Sequence, residues 1–387
     1  MDIEFLQRLM DPSKRKEIYK EIINFFQSLD KFDDIHYKGF QISEGTLPMV
    51  EISKVQEIDQ INSVKIFMGA QHNEYNGLFG IMEFLENHTK NKDSLDTIIK
   101  KGQVLIFFPL MNLYGFLNPS LDNKSGYYLR TGANLNRFWR HAFAPEYPVI
   151  IEEVKKFPEP EQVKIVKSVL ETYWSHENIT ITLMDFHETS LLERFPRELS
   201  VDLTSYYKFD HWLKEAIVEN ILDLYEIPHY RKPLFFKCGP NADHEHINLS
   251  YKQIDRVLEK LREYMVENYE KLAFYYCFSH KSEDFCKKLS KRVYNSLKED
   301  LWRTEYPAYP HDFHDHGCFV KMSDATERER VFTMELENQK QFFNLFEEIE
   351  KSNRDPEYFI KKIDIINKSM ELVKKTIAVM IELSDHD

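Results

Sequence analysis

Four short apolar runs constrain this chain most: Val64-Lys-Ile-Phe-Met-Gly69, Val104-Leu-Ile-Phe-Phe-Pro109, Ile179-Thr-Ile-Thr-Leu-Met184 and Val331-Phe-Thr-Met-Glu-Leu336. Each is too short for a core helix. Continuous rather than alternating hydrophobicity is expected of strands buried on both faces, and proline ends the second run as it would end a strand. Helical patterns separate the runs, for example Gly77 to Asn87 after the first. Strands that alternate with helices imply an α/β fold, a sheet covered on both sides.

The rest of the chain fits around that frame. Residues 1 to 30 place Leu6, Leu9, Met10, Ile18, Ile22, Ile23, Phe25 and Phe26 at near-helical spacing, so an N-terminal helical segment is expected over 1–34. Ile35 to Ile42 and Leu47 to Ile52 read as strands. From about Glu193 to Asp300 the pattern is mostly helical and carries extra polar clusters, which predicts an insertion over 193–300 within one domain spanning 1–387. From Gln339 onward the pattern is again helical and charged.

Composition narrows the partners. The chain of 387 residues has 51 basic against 64 acidic residues, a formal net charge of -13. A phosphate-binding face needs clustered Lys and Arg, so nucleic acid and anionic membrane are not expected partners. MDIEFLQRLMDPSKRKE alternates polar and apolar residues, so no secretory signal and no membrane span is expected. Cys238, Cys277, Cys286 and Cys318 form no CxxC pair, which speaks against a disulfide framework or a thiolate zinc site; a cytoplasmic location is expected.

Polar residues follow the apolar runs, and in open α/β sheets that edge is where ligands bind. After the first run stands Gln71-His-Asn-Glu74. A side chain at a strand end, with a carboxylate three positions later, can place two ligands on one side of a metal ion. After the third run comes Asp185-Phe-His187, where His187 can supply a third ligand and Asp185 can orient its second nitrogen.

Behind the second run lie Pro109-Leu-Met-Asn112-Leu-Tyr-Gly115 and Arg130-Thr-Gly-Ala-Asn134-Leu-Asn136-Arg137-Phe-Trp139. Asn136 and Arg137 put an amide and a bidentate guanidinium side by side, a chemical match to a carboxylate. Arg130 could face a developing oxyanion. In the fourth run, Glu335 is a carboxylate within a strongly apolar strand, which is costly to bury without a task; near a metal it can serve as general base and then general acid. Glu337 shares its strand parity and is its rival. Taken singly, each element has a plainer reading: a helix-capping loop, a satisfied core histidine, a surface arginine loop.

Together, the ordered set resembles the zinc carboxypeptidase family and its relatives that remove acyl groups from amino acids, of the succinylglutamate desuccinylase and aspartoacylase type. The resemblance runs from about Val64 to Asn338. It implies a mixed sheet of roughly eight strands sandwiched between helices, with zinc (Zn2+) at the 71–74 turn and His187. It further implies recognition of a substrate carboxylate by Asn136 and Arg137, oxyanion stabilisation by Arg130 and catalysis by Glu335. The substrate would be a peptide or N-acyl amino acid with a free carboxylate.

One departure stands out. The family has histidine three residues before the metal glutamate, and here that position is Gln71, with His72 one residue late. Gln71 is preferred as ligand because the Glu74 to Gly77 continuation then aligns without a gap; His72 ligates instead if the loop is tightened by one residue. The implied function is a metallocarboxypeptidase-type peptidase. Its alternatives are an N-acyl-amino-acid deacylase, or an inactive relative that binds a carboxylate or peptide. Helical patterning after 339 disfavours the deacylase, whose branch ends in a β-rich domain. The clusters His311/His314/His316 and His244/His246 are read as polar loops near the pocket, and Arg194, Arg197, Lys232 and Lys237 would suit an acidic peptide.

Overall fold

The computed structural model describes residues 1–55, 57–120, 122–123, 125–145, 151–189, 273–278, 283–297, 308–310, 330–337 and 356–383. The chain opens with α1 (Ile3–Met10), where the Asp2 side chain accepts from the Phe5 N–H at 2.8 Å and so caps the first turn. Then comes α2 (Arg15–Ser28), whose Ile18, Ile22 and Phe26 form the buried stripe that the spacing predicts. The hairpin β1 (Ile35–Ile42) and β2 (Gly45–Ser53) follows. Next are β3 (Ser63–Met68), α3 (Asn76–His88), α4 (Lys92–Ile98), β4 (Gln103–Phe108) and α5 (Leu113–Leu117). After α6 (Trp139–Phe143), α7 (Glu152–Lys156) and α8 (Glu161–Trp174) runs β5 (Thr180–Thr189). The remaining described elements are β6 (Ala273–Phe278), α9 (Glu283–Leu297), β7 (Ala308–Pro310), β8 (Arg330–Glu337) and α10 (Pro356–Glu382).

The strands make an eight-stranded mixed sheet in the order β1-β2-β4-β3-β5-β8-β6-β7. Its centre is parallel: β4, β3, β5 and β8 run the same way, while β2 and β6 meet them antiparallel. Every residue of β3 and β4 is buried, which requires cover on both faces and accounts for their unbroken apolar character. Phe67 and Phe107 stack at 5.1 Å across these two strands, and Phe84 of α3 lies over Phe107 at 6.2 Å.

The four apolar runs become the parallel centre, as expected. The stretch 273–297 departs from the expected insertion over 193–300. Ala273–Phe278 is a sheet strand paired with β8, and α9 packs against α10. An aromatic-rich strand of six residues inside a helix-patterned stretch is easily absorbed into its surroundings. Residues 193–272 lie outside the described residues, as do the 244–246 and 311–316 clusters.

The buried C-terminal helix is tied to the sheet by a charge. The fully buried Lys65 of β3 donates from Nζ to Met380 O at 2.6 Å and Leu383 O at 2.9 Å. An ammonium there donates to carbonyls of the helix's last turn and complements the helix dipole. Among the described residues, no helix is long and apolar enough to cross a membrane.

Candidate metal centre

The carboxyl ends of β3 and β5 lie side by side, because Met68 pairs with Asp185. The turn after β3 is therefore held close to His187. Its geometry depends on two unusual backbone positions. Ala70 is buried and sits at φ +51°, in the left-handed region that non-glycine residues seldom adopt. A Cβ on Gly69 would lie 2.9 Å from the Gly77 carbonyl carbon and the Leu78 nitrogen, so only glycine lets the β3 exit pass the start of α3. Backbone bonds from Met111 N to Gly69 O (3.1 Å) and from Asn112 N to Ala70 O (2.8 Å) tie this turn to the loop after β4.

That arrangement gathers His72, Glu74 and His187, all buried, with ligand atoms within 4.8 Å of one another. His187 Nδ1 lies 2.7 Å from Glu74 Oε2, and His72 Nδ1 lies 3.5 Å from Glu74 Oε1. His72 Nε2 meets Asn134 Oδ1 at 2.9 Å. An amide oxygen only accepts, so Nε2 carries the proton and Nδ1 keeps its lone pair. That Nδ1 is buried and makes no hydrogen bond among the described residues.

The His72 ring is fixed from several sides. Tyr127 stacks on it in parallel at 4.1 Å, and Asn134 Nδ2 donates to the Tyr127 hydroxyl at 3.2 Å. Asn112, in the PxxNxxG segment, donates to Gly126 O at 3.2 Å and Tyr127 O at 3.1 Å, anchoring the backbone that carries this ring. The first asparagine of NLNR and the tyrosine before it are site residues that spacing alone left without a role.

Charge in the centre is unevenly held. Burial lowers the His72 pKa and keeps the ring neutral, as a ligand must be. Burial alone would raise Glu74, yet chiefly the charge of the neighbouring His187 brings its carboxyl well below the usual range. Burial would likewise lower His187, but Asp185 and Glu74 on its two sides hold it well above an ordinary histidine. Two buried carboxylates around two imidazoles call for positive charge, and an orphaned imidazole nitrogen faces the same point. The donor set of two imidazole nitrogens and a carboxylate oxygen suits a borderline divalent cation such as zinc.

The other expected residues divide. Gln71 is fully buried, but its amide nitrogen donates to Asp185 Oδ2 and its oxygen accepts from Trp139 Nε1 at 2.9 Å. Its carbonyl is thus engaged by the indole and not presented beside Glu74. Asn136 reaches the site, with Nδ2 3.4 Å from His187 Nε2, and Arg137 follows it half-buried, its guanidinium on Asn136 O at 3.4 Å. Arg130 does not join the group: its side chain is 62% exposed and pairs with Glu44 at 3.5 Å. This departs from the oxyanion role expected of it, because the Glu44 carboxylate on the β1–β2 turn holds the guanidinium at the surface. Glu335 is the Cα partner of His187 across β5 and β8, and Glu337 pairs with Thr189, farther along.

No protein-family model and no curated protein matches the sequence. Solved structures with a related chain course include a metallo-carboxypeptidase from Burkholderia cenocepacia, at 12% identity and a TM-score of 0.46, over 93% of this chain and 67% of that one. A metallo-carboxypeptidase from Pseudomonas aeruginosa in complex with (2-guanidinoethylmercapto)succinic acid gives 10% identity, a TM-score of 0.48 and coverage of 93% and 67%. Bovine thrombin-activatable fibrinolysis inhibitor in complex with tick carboxypeptidase inhibitor gives 13%, 0.48, and coverage of 95% and 96%. Likeness at this identity assigns no activity to the chain.

Proposed function

We propose that this protein is a zinc-dependent hydrolase that cleaves an amide bond beside a free carboxylate, in the manner of a metallocarboxypeptidase. His72, Glu74 and His187 would hold the ion. The observation that carries the proposal is the His72 Nδ1 lone pair, buried and without a hydrogen bond among the described residues, converging with Glu74 and His187 at the carboxyl ends of the sheet's parallel central strands. A buried acceptor left unpaired is costly unless a ligand completes it. Bound there, zinc would act as a Lewis acid and lower the pKa of a coordinated water to about 7.

The chain's own residues then have distinct tasks. Glu335, in register beside His187, takes a proton from the attacking water and returns it to the departing nitrogen. Asn136, whose amide adjoins the His187 ring, and Arg137, whose guanidinium meets the Asn136 carbonyl, bind the substrate carboxylate and set the scissile amide over the site. Asn134 keeps the His72 proton on Nε2 and Asp185 takes that of His187, so that both Nδ1 atoms face Glu74. Arg130, turned to Glu44, is left out of the mechanism.

The test pairs zinc content of the purified chain with hydrolysis of short peptides, either free or amidated at the C-terminus. The proposal expects stoichiometric zinc and turnover of the free-carboxylate peptides only. Turnover of acetyl-aspartate or succinyl-glutamate in place of peptides would assign the deacylase reaction, and absence of zinc would overturn both.

A further inference from the structure

The residue that replaces the family's histidine is itself buried in a connected chain of side chains. Trp139 Nε1 donates to Gln71 Oε1 at 2.9 Å, Gln71 Nε2 donates to Asp185 Oδ2, and the same Asp185 oxygen faces His187 Nε2 at 2.5 Å. Trp139, Gln71 and Asp185 are all fully buried. The chemistry of the two ends fixes the amide's orientation. An indole N–H can only donate and a carboxylate can only accept, so the glutamine oxygen must face Trp139 and its nitrogen must face Asp185. A flipped amide would set acceptor against acceptor and donor against donor.

We infer that Gln71 and Trp139 are positioning residues, which hold the Asp185 carboxylate in one place and through it fix the orientation and tautomer of His187. The inference rests on the proposed metal site. It gives the Gln71 substitution a task other than ligation. A metal-binding imidazole must present one nitrogen to the ion and donate its other N–H to a fixed acceptor. Asp185 is that acceptor, and its Oδ1 has no hydrogen-bond partner among the described residues, so its rotation is restrained through Oδ2 by the Gln71 amide. Gln71 cannot rotate in turn while the indole holds its oxygen.

The test measures metal affinity of the full chain by competition with a chelator, and the visible spectrum of the Co2+-loaded protein. The variants are Trp139→Phe, Gln71→Met and their combination, with Gly80→Ala as a control that perturbs packing away from the site. Each single variant should weaken Zn2+ and Co2+ binding by about 10- to 100-fold and change the Co2+ spectrum. The double variant should be no weaker than Gln71→Met alone, because both changes act on one chain of contacts; independent structural losses would add. Gly80→Ala should lower the melting temperature and leave affinity and spectrum unchanged. Wild-type affinity and spectrum in both single variants would overturn the inference, as would additive losses. If the parent protein itself binds neither metal, the metal site is what fails, and the positioning role falls with it. If Gln71→Met does not fold, Trp139→Phe decides the matter alone, since it keeps an aromatic ring and removes only the donor and part of the bicycle.

Discussion

Two buried polar centres lie along one stretch of chain, and they are completed differently. In mid-strand, the Lys65 ammonium is closed by the Met380 and Leu383 carbonyls at 2.6 and 2.9 Å. Just beyond the strand's end, His72 is equally hidden, at 3% exposure, but its Nδ1 has no hydrogen bond among the described residues while Glu74 and His187 converge on the same point. A buried polar group whose partners are all supplied by the chain holds the fold together. One left incomplete, with further donors aimed beside it, is arranged around something the chain does not supply. Scaffold and site can be told apart on that ground without naming either.

Substitutions should separate the two centres. The largest effect is expected at the site: Glu335→Gln should leave zinc bound and lower kcat by about 100- to 10,000-fold, the share of rate that a positioned general base supplies. Steady-state kinetics beside metal analysis checks this, and unchanged kcat would discard Glu335. Next, Lys65→Met removes the ammonium and leaves two helix carbonyls buried without donors. At about 1–3 kcal/mol for each unsatisfied group, stability in urea should fall by about 2–6 kcal/mol with no change in zinc affinity. A loss of affinity there would mean that the two centres are not separable.

Smaller effects sharpen the contrast. Asn134→Ala frees the His72 ring and should weaken zinc binding by about 10- to 100-fold in chelator competition, while the unfolding midpoint of the metal-free protein moves little. Gly80→Ala should do the reverse. Its added Cβ would meet Val373 at 2.6 Å where α3 crosses α10, costing about 1 kcal/mol of stability and nothing in metal affinity. Thermal melts with and without chelator read both variants.

The fold was largely legible because its centre is buried on both faces. A strand such as Val104–Phe108 has no polar side to confuse it, and the polar turn that follows such a run marks the ligand edge. The strand Ala273–Phe278 was hidden by the helix-patterned residues around it, and Ala308–Pro310 is too short to carry a period. Within the site, Glu74 and His187 could be read from strand ends. That His72, and not Gln71, lies beside Glu74 could not, because the turn runs through Ala70 at φ +51° and an indole engages Gln71. Spacing encodes neither. The surface placement of Arg130 was equally out of reach: its partner Glu44 comes from the distant β1–β2 turn, beyond local pattern.

The most direct test of this account is the zinc content of His72→Ala set against that of the parent chain, both purified without added metal. Stoichiometric zinc in the parent and almost none in the variant, with the variant still folded by circular dichroism, is the predicted result. Zinc retained at parental level in His72→Ala would contradict it, because the ion would then be held without the imidazole whose open nitrogen defines the site.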